Sequence, residues 1–140
     1  MMNSIIRLDT RGRLVIPNEF RETLDLKEGD EVLMSLDTKT NTLVISPIYG
    51  KADNLAKIEI EFDDKPGSLA KLAETLAKIN IDLVMTESKS YQRGAKARWY
   101  IIADTTKCPY GINEVKKTLL QNHSVESVSI TKIARDRLHR

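Results

Sequence analysis

Apolar residues in this chain come in short bursts, and their spacing predicts the elements. Ile5-Ile6 and Leu14-Val15-Ile16 stand on either side of the polar stretch from Asp9 to Arg13. That pattern predicts two short strands joined by a tight turn, with Gly12 taking a positive-φ position. Pro17 lacks the N–H that a ladder requires and suits a first helical turn, so it ends the second strand and opens a short helix carrying Arg21. Leu26 to Glu31 reads as a turn, with Gly29 supplying the permissive backbone. Val32, Met34 and Leu36 recur at the period of two expected of a half-buried strand. Thr38 to Asn41 is turn-like, Leu43-Val44-Ile45 is the partner strand, and Pro47 stops it.

Residues 49–56 lack strong periodicity and contain Gly50, which predicts a linker. A second unit, 57–133, follows. Ile58, Ile60 and Phe62 alternate with Glu59 and Glu61, giving a strand. The stretch from Asp63 to Ser68 breaks it and starts a helix whose apolar face is Leu69, Leu72, Ala73, Leu76 and Ile79, at spacings of three and four. After a turn at Asn80 to Asp82, Leu83 to Ser88 is a strand, Tyr91 to Gly94 a hairpin tip and Ala97 to Ala103 the return. Ile112, Val115 and Leu119 mark a second amphipathic helix, and Val125, Val128 and Ile130 a last strand. The order β-α-β-β-α-β is the ferredoxin-like arrangement, two helices over one face of an antiparallel sheet. Residues 134–140 form a basic tail.

A net charge of +2 over 140 residues announces no partner by itself. Its distribution says more: residues 1–50 hold six Lys/Arg against eight Asp/Glu, the remainder sixteen against twelve. Arg7, Arg11, Arg13 and Arg21 nevertheless precede the carboxylates Asp25, Glu28, Asp30 and Glu31, and such local clustering sets the field a partner meets. The single cysteine, Cys108, leaves no intramolecular disulfide and suits a reducing cytoplasm. No apolar run approaches the ~20 residues needed to span a bilayer, and no signal peptide opens the chain. A cytoplasmic protein with no membrane association is the expectation.

The stretch D-x-x-G-R-x-V-I-P from Asp9 to Pro17, the arginine-bearing helix, and Leu24-x-Leu26-Lys27-Glu28-Gly29-Asp30 resemble the AbrB/SpoVT/MazE swapped-hairpin DNA-binding domain over about residues 5–48. The resemblance implies a small β-rich barrel in which hairpins of two chains interleave, an obligate homodimer or higher oligomer, and double-stranded DNA as partner. Its arginines around the turn and on the helix correspond to Arg11, Arg13 and Arg21, with Arg7 on the preceding strand as a further candidate. A second helix arginine is frequent in the family, but this chain has Glu22. Without the resemblance, the same arginines read as a solvated turn, with Arg21 pairing Asp25 at i,i+4.

Asp64-Lys65-Pro66-Gly67-Ser68-Leu69 between the first strand and helix of the second unit, with Asn80-Ile81 after that helix, resembles the ACT domain over about residues 56–133. The resemblance implies a regulatory module binding an amino acid or related metabolite at an interface between copies. Free N–H groups at the helix start would favour a carboxylate, Asp63 or Asp64 would hold an ammonium, and Asn80 offers both a donor and an acceptor. Asp63, Asp64, Lys65, Pro66, Gly67, Ser68, Leu69, Asn80 and Ile81 are thus the ligand-site candidates. The plainer reading is a helix start capped by Asp64.

Lys89, Arg93, Lys96 and Arg98, with Lys132, Arg135, Arg137 and Arg140, read as a solvated hairpin and a frayed basic terminus. Cys108 reads as a small packed residue. His123 and His139 are too far apart for metal-ligand spacing, and one of Trp99 and Tyr100 is expected in the core. No phosphate loop, nucleophile elbow or supported carboxylate pair occurs, so neither enzymatic activity nor a cofactor is expected. The whole reads as an α+β chain: a DNA-binding regulator with a metabolite-sensing second half, or else an antitoxin-type or enzyme-docking interaction module.

Overall fold

The computed structural model describes residues 1–48, 53–92 and 95–136. The chain divides into two compact units, Met1–Ala52 and Asp53–Arg140. Among the described residues, no helix is long and apolar enough to cross a membrane.

In the first unit, helix α1 (Asn18–Thr23) follows directly on Pro17. It closes with Asp25 in the left-handed region, φ +52°. The Asp25 N–H donates to Glu22 O and the Leu26 N–H to Arg21 O, the paired bonds of a Schellman cap. Strands β1 (Val32–Asp37) and β2 (Thr42–Pro47) form an antiparallel hairpin, Val32 opposite Pro47 and Asp37 opposite Thr42. The expected strands around Ile5-Ile6 and Leu14-Val15-Ile16 are absent from the single chain; only the turn between them is built, and residues 1–9 and 13–17 carry no strand pairing. The periodicity of β1 is real, but its outcome is inverted. Met34 and Leu36 are 57% and 69% exposed, while Leu33 is buried. Among the described residues, the Met34/Leu36 face is left open.

The second unit is β3 (Leu55–Asp63), α2 (Ser68–Lys78), β4 (Asp82–Gln92), β5 (Lys96–Asp104), α3 (Ile112–Leu120) and β6 (Val125–Lys132). The sheet order is β4-β5-β3-β6, every neighbouring pair antiparallel. Two central strands with the helical connections on either side of the β4–β5 hairpin give the βαββαβ succession its closed core. Ile58, Ile60 and Phe62 of β3 meet Ala97, Trp99, Ile101 and Ala103 of β5 on one face, under Leu72 and Leu76 of α2 and Val115 and Leu119 of α3. Leu69, Ala73 and Ile79 pack at the edge of that cluster, so the stripe read from the sequence is the buried one. β3 begins at Leu55, inside the segment expected as linker, because Leu55 and Ala56 are both buried. Tyr49 to Ala52 lie outside the described residues, as do Arg93, Gly94, Arg137, His139 and Arg140.

The other face of the sheet carries paired polar residues beside the half-buried Met85 and Ile102. Arg98 is ion-paired with Glu61 across the β3–β5 register and lies over the Tyr91 ring at 5.1 Å and the Tyr100 ring at 5.9 Å. The Glu61 carboxylate raises the guanidinium's pKa above its ordinary value, so Arg98 stays charged. Lys96 pairs with Glu126 at 2.9 Å. These basic residues are thus tied into the sheet rather than freely solvated. Trp99 is core and Tyr100 half-buried on the polar face, as alternation along a strand requires.

Candidate functional site

The turn at Asp9 to Arg13 is built around one carboxylate. Gly12 sits at φ +73°, where an L side chain is strained. The Gly12 N–H donates to Asp9 O at 3.1 Å and the Asp9 N–H to Arg13 O at 3.0 Å. Asp9 Oδ1 accepts the N–H groups of Arg11 and Arg13, each at 2.8 Å. Asp9 Oδ2 accepts Arg13 Nε at 2.6 Å. The Arg13 backbone N–H first, and its guanidinium next, hold the Asp9 carboxyl below the usual carboxylate range.

Arg21 is also held. Its Nε donates to Ile16 O at 3.1 Å and its Nη2 to Asn18 Oδ1 at 3.4 Å, while Asn18 Nδ2 donates to Glu22 Oε1 at 2.9 Å. Glu22 therefore fixes the Asn18 amide that faces Arg21. The i,i+4 pair of Arg21 with Asp25 does not form; Asp25 instead lies 3.9 Å from Lys27 Nζ. Arg7 and Arg11 have exposed guanidinium groups with no hydrogen bond or ion pair among the described residues.

Beside the turn lies uncovered apolar surface. Ile5 is 103% exposed, Val15 76% and Leu8 59%. A groove of about 310 Å³ runs between Ile6, Leu14, Ile16, Phe20, Leu43 and Ile45. Surface of this kind on a soluble domain marks an interaction site.

Similarity to one known family falls on the same segment. Residues 5–52 match the family model described as Antidote-toxin recognition MazE, bacterial antitoxin. The first unit is thus similar to MazE/AbrB-like, antitoxin-type domains. The chain is also similar to proteins named Transcriptional regulator MraZ. That of Shewanella halifaxensis is 32% identical over 63 residues, 45% of this chain and 41% of the relative. That of Shewanella pealeana is 30% identical over the same length. That of Shewanella oneidensis is 37% identical over 46 residues, 33% of this chain and 30% of the relative. The chain thus spans about two fifths of the length of the first of these relatives.

The second unit carries the other candidates. Helix α2 starts after Gly67, at φ +86°, with no side-chain cap. Asp64 is not that cap. Its N–H donates to Ala95 O at 2.9 Å and its Oδ2 accepts the Ser90 hydroxyl at 2.9 Å, fastening the turn to β4. Asp63 to Leu69 form one continuous turn but face two clefts. One, of about 940 Å³, is lined by Asp64, Gly67, Leu69, Ser88 and Trp99. The other, of about 840 Å³, takes Asp63 and Ser68 together with Asn122, His123 and Ser124. Lys65 and Pro66 border both. Asn80 and Ile81 join neither. They lie past the other end of α2, whose 11 residues rise roughly 16 Å. Asn80 there has φ +60° and Ile81 is buried. Among the described residues no three His, Cys, Asp or Glu side chains cluster to hold a metal. Cys108 packs against the core edge with its thiol 3.6 Å from Tyr110 O.

The residue that sequence reading passed over is Asp9. Its signal was present: a carboxylate two and four positions before N–H groups that a glycine turn folds back onto it.

Proposed function

We propose that this chain is a DNA-binding transcriptional regulator whose first unit acts as a homodimer, or a higher homo-oligomer, on double-stranded DNA. The observation that carries the reading is the arginine-bearing turn of the MazE/AbrB-like unit, set beside apolar surface that one chain leaves open. Two copies that braid residues 1–17 together would cover Ile5, Leu8 and Val15 and complete the strands that the single chain lacks. The paired turns would then present Arg7, Arg11, Arg13 and Arg21 to the duplex. A narrow ribbon of this kind fits a major groove. The MraZ relatives, named as transcriptional regulators, support the same class. The formal excess of acid in this half implies modest affinity, and arginine–phosphate contacts, which release counterions, make the binding depend steeply on salt.

The test is fluorescence anisotropy of the full chain on a random-sequence duplex over a salt series. Binding is expected in dilute buffer, with affinity falling as salt rises, and Arg11→Glu with Arg13→Glu should abolish it. A wild-type chain that ignores duplex DNA in dilute buffer sinks the reading. An antitoxin-type docking module, the alternative that the family model's description favours, predicts co-purification with a small basic partner; a module that docks on an enzyme predicts no salt-dependent DNA affinity, so charge reversal at Arg11 and Arg13 changes nothing.

The second unit is read as an ACT-like sensor of an amino acid or related metabolite. The βαββαβ order and the cleft of Asp64, Gly67, Leu69 and Trp99 support it. Asn80 and Ile81 would meet the same ligand only across copies. Ligand at a hundred times its dissociation constant stabilises by about 2.7 kcal/mol, so a thermal-shift screen of the twenty amino acids is decisive. If none raises the transition, sensing of a standard amino acid falls and the DNA reading stands without it.

A further inference from the structure

Two of the four arginines in the first unit have their Nε–H committed within the chain, and Asp9 is what commits the one nearest the turn tip. Its carboxylate takes the Arg11 and Arg13 N–H groups on one oxygen and Arg13 Nε on the other. Arg13 is nonetheless 56% exposed at its side chain. Nη1 and Nη2 of Arg13 have no partner among the described residues. A guanidinium anchored through Nε loses the rotamer freedom that a solvated arginine must surrender on binding. It keeps the two-pronged donor edge that matches two acceptors in a plane.

We propose that Asp9 is a positioning residue for DNA recognition: it presents the outer edge of Arg13 as a preformed bidentate donor for O6 and N7 of a guanine in the major groove. This rests on the reading that the first unit binds DNA. It makes a prediction opposite in sign to simple electrostatics. A carboxylate among phosphate-facing arginines repels the duplex, so its neutralisation should tighten binding wherever it acts through charge alone. If it acts through Arg13, neutralisation weakens binding to the preferred sequence while leaving or improving binding to any other.

The experiment uses the full chain. A preferred duplex is first selected from a randomised pool with the wild-type protein, and a scrambled duplex of the same composition is the comparison. Asp9→Asn is the informative change, because the amide oxygen still accepts the turn N–H groups while the partner of Arg13 Nε is lost. On the selected duplex, Asp9→Asn is expected to bind about tenfold more weakly, at the low end of what a bidentate base contact contributes. On the scrambled duplex it should bind equally well or better. Arg13→Gln should cost much less in the Asp9→Asn background than in the wild type, since the two changes remove one shared contact. The Arg13 Nε–H resonance, protected in the wild type, should exchange rapidly in the variant.

Several results overturn the proposal. It falls if Asp9→Asn binds the selected duplex as tightly as the wild type, or loses equally on both duplexes. It falls too if the Asp9 and Arg13 losses multiply as independent effects, or if the contact proves to be a phosphate, with equal loss on every sequence. If the pool yields no enriched duplex but the unselected pool still binds, positioning for base readout is wrong and phosphate binding survives. If neither duplex binds, the DNA reading itself has failed. An Asp9→Asn chain with altered circular dichroism is replaced by Asp9→Ser, whose hydroxyl can also accept the turn N–H groups.

Discussion

Asn80 is where a bland and a functional reading of one side chain predict different results. The residue stands just past α2 at φ +60°. Its N–H donates to Ala77 O, and the Ile81 N–H to Leu76 O, both at 3.1 Å, which is the Schellman arrangement. The left-handed conformation is available to asparagine at small cost and to glycine at none. Asn80→Gly is therefore expected to be at least as stable as the wild type in urea denaturation, and Asn80→Ala less stable by about 1 kcal/mol. Equal losses from both changes would mean that the side chain matters beyond its backbone. Should an amino acid raise the thermal transition of the wild type and not of Asn80→Gly, the amide belongs to the ligand site. An asparagine after a helix is visible in any sequence; which of its two uses is in play depends on contacts that spacing does not encode.

Helix α2 carries the next scale. Leu72 and Leu76 are fully buried between β3 and β5, and α2 has no side-chain cap to secure its start. The helix is thus held by its apolar face more than by its ends. Leu76→Ala should cost about 2–5 kcal/mol by lost burial and cavity formation, read as a lower urea midpoint for the second unit's transition. A cost under 1 kcal/mol would mean that the site collapses or that the face is not packed as described. Elements of this kind were legible in the sequence because period and burial agree: Ile58, Ile60 and Phe62 share one face, and that face is covered. Met34 and Leu36 mark the boundary of the method. Their period correctly places them on one face of β1, but periodicity says which residues lie together, not what lies on top of them. Leu55 and Ala56 escaped for the converse reason, since adjacent residues buried together leave no alternation to read. The fastening of Asp64 to Ser90 joins positions 26 apart, beyond any local pattern.

For the molecule as a whole, the deciding contrast is between the two cores. The second unit buries a continuous cluster from both helices and three strands. In the described part of the first unit, Leu33 alone is a buried hydrophobic residue, while Ile5, Val15, Leu36 and Met34 are more than half exposed. A domain of about fifty residues with so little interior is marginal unless association supplies the missing burial. Val15 tests this, because a charge there has opposite consequences in the two cases. On a true surface, Val15→Asp is neutral or improves solubility. Inside an interface between copies, it removes roughly 1.5–3 kcal/mol of burial from each copy and adds an unpaired carboxylate. The dissociation constant between copies should then rise at least about a hundredfold. Light scattering of the segment 1–52 alone at matched concentration would show the wild type at twice the segment's mass or more and Val15→Asp at the mass of one segment. On the proposed function, in which paired turns bind the duplex, DNA affinity should fall with it, and Thr38→Asp on the exposed turn before β2 should change neither. A wild-type segment that scatters as a single copy at tens of micromolar, or a Val15→Asp segment that keeps the wild-type mass, would leave the open apolar surface of the first unit without the partner that its chemistry requires.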